Sequence, residues 1–67
     1  MEISLNNKIE KFDEETFNIT ELLKRKNFTF RMLVVKVNNK IVKRNDFENT
    51  FVKNGDNVSV IHLISGG

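Results

Sequence analysis

The chain has no cysteine, proline, tryptophan or tyrosine, and a single histidine, His62. Each absence closes a route. Without Cys there is no disulfide framework, no thiolate nucleophile and no cysteine-based zinc site. His62 has no carboxylates near it in sequence, so a metal site has little to build on. Ser4, Ser59 and Ser65 leave a Ser-His-acid triad formally open, but none sits in a nucleophile elbow. Without Tyr or Trp the chain lacks the larger aromatic faces on which bases stack. No apolar run approaches the ~20 residues that span a bilayer. Residues 1–5 lack the basic start and long apolar run of a secretory leader. The expectation is a soluble, cytoplasmic protein with no membrane partner.

What is present describes one small domain. Of 67 residues, 39% are hydrophobic and 30% charged, the balance of a globule rather than a disordered segment. A chain this short buries only ~60% of its unfolded surface and has little room for a substrate pocket. Work by contact is therefore expected, not catalysis: no catalytic residue, no resident cofactor and no metal. The net charge is +2, from 11 basic and 9 acidic residues. The bases gather at Lys24-Arg25-Lys26 and at Lys40, Lys43 and Arg44. These clusters read as a solvated helix end and turn, or as a nucleic-acid footprint. Interleaved acids favour the first, so no nucleic-acid partner is expected.

Met1, Ile3 and Leu5 alternate with Glu2 and Ser4, the period of a half-buried strand. Asn6-Asn7 supplies residues that tolerate the left-handed backbone of a tight hairpin, and residues 8–12 return as a second strand. Asn18 with Glu21 three residues on is a capping pair, and Phe17 with Leu22 is a hydrophobic staple. Ile19, Leu22 and Leu23 share one helical face, and Lys24-Arg25-Lys26 closes the last turn. Residues 33–37 are apolar and β-branched, an inner strand, followed by a second turn at Asn38-Asn39 and a short return at Ile41-Val42. Residues 46–50 predict a helical turn with Phe47 inward. Asn54-Gly55-Asp56 marks a turn before a final strand over 57–63, with Val58 and Val60 on one face and Ser59, Ile61 and Leu63 on the other. Phe12, Phe17, Phe28, Phe30, Phe47 and Phe51 are assigned to the core. Strand runs interrupted by one helix predict an α+β fold, a mixed sheet of four to five strands with one main helix across it.

The last four residues, Ile64-Ser65-Gly66-Gly67, follow the final strand with no capping signal. Glycine is about 7% of average composition, so a terminal pair arises by chance in roughly one chain in two hundred. A pair without Cβ atoms threads a narrow channel, and four extended residues reach roughly 13 Å. Gly67 ends in a carboxylate, ionised at neutral pH and inert to nucleophiles until one oxygen becomes a leaving group. Adenylation with ATP does that, and a sulfur nucleophile can then displace AMP. The expected division is a domain over 1–63 and a flexible tail over 64–67.

This order of elements ending in Gly-Gly resembles the ubiquitin-like β-grasp families. Within them, three stretches are similar to the thiamine-biosynthesis sulfur-carrier family, ThiS: Val37-Asn38-Asn39-Lys40-Ile41-Val42-Lys43-Arg44, Asn54-Gly55-Asp56-Asn57-Val58 and Gly66-Gly67. Lys43 departs from the family, which often has Pro before the Arg. The resemblance implies a co-substrate whose Gly67 is adenylated by a ThiF-like enzyme using ATP and Mg. Gly67 then becomes a thiocarboxylate with sulfur derived from a cysteine desulfurase, and a ThiG-like thiazole synthase consumes that sulfur. Gly66 is the slender approach to it.

Ile61 and Leu63, with Ile64 at the root of the tail, form an outward apolar row that reads as a partner-docking patch. His62 is read as a surface or half-buried residue, and a monomer is expected. Three other readings stay open. A molybdopterin-synthase small subunit shares the tail chemistry, but such chains are somewhat longer and tend to carry prolines before the glycines. A ubiquitin-like modifier would form isopeptide bonds with lysines. A basic binding module would not need Gly66 and Gly67.

Overall fold

A computed structural model describes residues 1–29 and 31–63 of the chain. In chain order these residues form β1 (Glu2–Leu5), β2 (Lys8–Lys11), β3 (Thr16–Asn18), α1 (Ile19–Arg25), β4 (Leu33–Val37), β5 (Lys40–Val42), a 3-10 turn (Arg44–Asp46), β6 (Phe51–Lys53) and β7 (Asn57–His62). Five strands make the main sheet, in the order β2-β1-β7-β4-β5. β1 and β7 run parallel and the other pairs antiparallel, so the sheet is mixed. The α+β architecture expected from the element order is the one observed.

Local chemistry accounts for the elements. In the hairpin turns, Asn6 and Asn7 have φ of 51° and 68°, and Asn38 and Asn39 have φ of 52° and 70°. Positive φ at both central residues matches the twist of the flanking strands. Alternation then sends Ile3 and Leu5 inward from β1, and Val58 and Val60 inward from β7. Asn18 Oδ1 accepts from the Glu21 N–H at 2.8 Å, capping α1 as predicted. Glu21 directs its own carboxylate along the helix, to Arg25 Nε at 2.8 Å. The helix stops at Asn27, whose φ of 58° lets the Phe28 N–H reach the Leu23 carbonyl at 2.8 Å and its own N–H reach that of Lys24 at 3.1 Å. Ile19 and Leu22 from the helix enter one core with Ile3, Leu5, Phe17, Val35, Phe47, Val52, Val58 and Val60.

Three expectations are amended. A second, two-stranded sheet pairs β3 with β6, each only three residues long and each with one inward side chain, Phe17 and Val52. So short an alternation carries no period that can be read in advance. The helical turn starts two residues early, at Arg44, with Phe47 buried at its end as expected. Phe51 is 57% exposed, because its neighbour Val52 takes the inward position of β6. Phe12 and Phe28 lie half-buried against the core, and Phe30 lies outside the described residues.

Candidate carrier terminus and docking face

The final strand is held most firmly where it begins. Asp56, the one buried polar residue among those described, accepts from the Lys53 N–H at 2.9 Å and from Asn38 Nδ2 at 3.1 Å. Asn38 Oδ1 accepts from the Asn57 N–H at 2.9 Å, while the Asn38 N–H donates to the Asn57 carbonyl at 2.7 Å. On the other flank the Asn6 N–H donates to the Val58 carbonyl, and Asn6 Oδ1 accepts from the Val60 N–H at 2.8 Å. Both asparagine turns therefore grip β7 with their side chains as well as with backbone. The sequence marked these residues as turn formers only; the buried carboxylate of Asp56 carried no separate signal.

From that anchor β7 runs between β1 and β4 toward residue 64. Its pairing with β1 is confined to Ser4↔Asn57 and Leu5↔Val58, whereas β4 accompanies it from Val37↔Val58 to Leu33↔His62. The Leu63 N–H donates to the Met32 carbonyl at 2.9 Å, extending that ladder one residue further. On the face away from α1, Ile61 stands opposite Val34, and Lys36 stands between Ser59 and Ile41. Ile61 and Leu63, two of the three residues of the outward row read from sequence, are 45% and 44% exposed. Met32 and Ile41, at 47% and 67% exposed, extend it across β4 and β5. These two were missed because only pairing between distant strands shows them on that face: the Leu63 N–H meets the Met32 carbonyl, and Ile41 stands opposite Lys36, with β4 between it and β7. Ile64, Gly66 and Gly67 lie outside the described residues.

The basic clusters separate into engaged and open charges. Arg25 forms ion pairs with Glu14 and Glu21 and stacks 4.8 Å from the Phe17 ring centre. Its hydrogen bond to Glu14, then that to Glu21, holds the guanidinium above its ordinary pKa. The same Arg25 bond chiefly holds the Glu14 carboxyl below the usual carboxylate range. Lys26 pairs with Glu10 at 3.1 Å. Arg44 donates to the Arg31 carbonyl at 2.5 Å and lies 5.9 Å from the Phe47 ring centre, tying the 3-10 turn to the entry of β4. Lys40 and Lys43 are exposed beside the apolar face, with Lys36 half-buried within it.

An open depression of about 480 Å³, lined by Met1, Glu2, Lys11, Phe12, Asp13 and Asn54, lies by the start of β7 rather than its end. Among the described residues no group of three or more His, Cys, Asp or Glu is placed to hold a metal ion. No helix among them is long and apolar enough to cross a membrane.

A model of the ThiS family matches residues 3–67, a span that includes Gly66-Gly67. The chain is similar to a crystal structure of a thiamine biosynthesis protein (ThiS) from Geobacter metallireducens, at 32% identity and a TM-score of 0.90, each chain covered in full. A solution NMR structure of a thiamine biosynthesis protein from the same organism is 31% identical, with a TM-score of 0.76, over all of this chain and 88% of that one. No curated protein matches.

Proposed function

The chain belongs to the ThiS family, and on that premise we propose that it is a sulfur carrier of thiamine biosynthesis, acting as co-substrate to partner enzymes. The observation that carries this reading is the family match running through Gly66-Gly67, on a chain whose fold superposes throughout on a thiamine biosynthesis protein.

The carboxylate of Gly67 is the working group. A partner adenylating enzyme of the ThiF kind, with ATP and Mg as its own substrate and metal, joins a carboxylate oxygen to the α-phosphate and releases pyrophosphate. The persulfide of a cysteine desulfurase displaces AMP to give an acyl disulfide, and a second thiol then reduces its S–S bond, leaving the thiocarboxylate and a protein disulfide. A thiazole synthase of the ThiG kind then takes up that sulfur. Residues 64–67 carry this chemistry as the tail of the domain over 1–63, Gly66 having no side chain to obstruct entry into the partner's channel. All of this is cytoplasmic chemistry, and the chain without partners is a monomer.

Docking falls to the face beside the root of that tail: Ile61, Leu63 and Ile64, joined by Met32, Val34 and Ile41. Met32, Ile41, Ile61 and Leu63 are exposed apolar side chains, and a sheet face that carries them favours contact with a partner over solvent. Lys36 and Lys43 add positive charge, which suits an acidic rim on the partner.

The decisive experiment incubates the chain with its adenylating enzyme, ATP, Mg and sulfide, followed by intact-mass measurement. The expected product has gained the mass of one oxygen-to-sulfur exchange, and a chain lacking Gly67 gains nothing. Isopeptide adducts on other proteins, with no free thiocarboxylate, would overturn the carrier reading in favour of a protein modifier.

A further inference from the structure

The turn before β7 contains Asn54-Gly55, the dipeptide in which succinimide formation is least hindered, because glycine puts no side chain beside the attacking nitrogen. Both reacting groups are held by one residue of β1. The Glu2 N–H donates to Asn54 Oδ1 at 2.8 Å, and the Gly55 N–H donates to the Glu2 carbonyl at 2.8 Å. Asn54 is otherwise exposed and lines the open depression, so water reaches it.

We propose that Asn54 is a latent deamidation site that Glu2 keeps closed, and that it reacts from the opened state in which the start of β1 has released the turn. In that state the Gly55 nitrogen loses its proton and attacks Asn54 Cγ. A C–N bond forms, the side-chain amide leaves as ammonia, and a five-membered succinimide results. Water opens the ring at either carbonyl, giving aspartate or isoaspartate, with no change of oxidation state. In the folded chain the bond from Gly55 opposes loss of its proton, and the bond to Oδ1 fixes the side chain that must rotate. Strand ends open more readily than whole sheets, so β1 gates the reaction locally. The isoaspartate product lengthens the backbone by one carbon inside the turn that presents Asp56 to Lys53 and Asn38. Ageing at this site therefore loosens the anchor of the final strand.

The test follows the loss of Asn54 by peptide mapping at mildly alkaline pH, in the folded chain and in the same chain held unfolded in guanidinium. The expected rate is at least about tenfold lower when folded, and Asn54 is the first asparagine converted when unfolded. Glu2→Pro removes the N–H at a strand's first residue, where proline is tolerated, together with an exposed carboxylate 3.9 Å from Lys11. It is expected to raise the folded rate several-fold, whereas Glu2→Ala, which loses the carboxylate alone, leaves it unchanged. Equal folded and unfolded rates, or conversion at Asn6, Asn38 or Asn57 ahead of Asn54, would overturn the proposal. If Glu2→Pro does not fold, the wild-type comparison alone decides.

Discussion

Single side chains set the ends of elements here, and their energies are separable. Asn18 satisfies one otherwise open N–H of α1, so Asn18→Ala is expected to cost about 1 kcal/mol in chemical denaturation, without changing the slope of the transition. Asp56 is different, because its carboxylate is buried and its partners are left without an acceptor when it goes. Asp56→Ala is expected to cost on the order of 2–3 kcal/mol in the same measurement, with Asp56→Asn intermediate.

Glu14 gives a pH dependence of known sign. Its carboxyl titrates lower in the folded chain than in the unfolded one, chiefly through the Arg25 bond. The resulting stability is present above the unfolded value of about 4.3 and is lost as the pH falls through the lower folded value. The raised Arg25 would lose its share only in strong alkali. Melting curves should therefore show wild type above Glu14→Gln at neutral pH. The gap should close below about pH 4 and narrow in high salt, since both groups reach solvent.

Among the elements, the β3–β6 ribbon shows how little pattern is needed when the partner is already in place. Phe17 stands opposite Val52, packs edge-to-face on Phe12 at 4.9 Å between ring centres, and lies under Arg25. Phe51, opposite Asn18 in the same ribbon, looks outward. Phe17→Ala is expected to cost about 3–5 kcal/mol, enough to unfold much of a domain this small, whereas Phe51→Ser should stay within about 0.5 kcal/mol. Thermal unfolding followed by circular dichroism distinguishes the two. The contrast also explains which elements were legible in advance. The hairpin turns, the helix start and the alternation of β7 are local signals, carried by Asn6-Asn7, Asn18 with Glu21, and Val58 with Val60. The ribbon is non-local: its two strands lie some thirty residues apart, and neither has an alternation long enough to announce it.

For the molecule as a whole, the two ends of β7 have different surroundings. The start of β7 is gripped by Asp56, Asn38 and Asn6, while its far end lies beside exposed apolar side chains. Leu63→Asp should leave the melting temperature nearly unchanged and slow adenylation by the partner about tenfold or more, as loss of a central docking contact does. Unchanged kinetics in the folded variant would remove Leu63 from the docking face.

The Gly66-Gly67 pair is read directly from the sequence, whereas the carrier role proposed for it comes from membership of the ThiS family and not from composition or element order. The outward direction of Ile61 and Leu63 was legible too, since alternation needs only neighbouring residues. That Met32 and Ile41 join them, that Phe51 faces solvent and that Asp56 is buried were settled by strand register. Register is a relation between distant segments, fixed when the whole core closes and not written in any one of them.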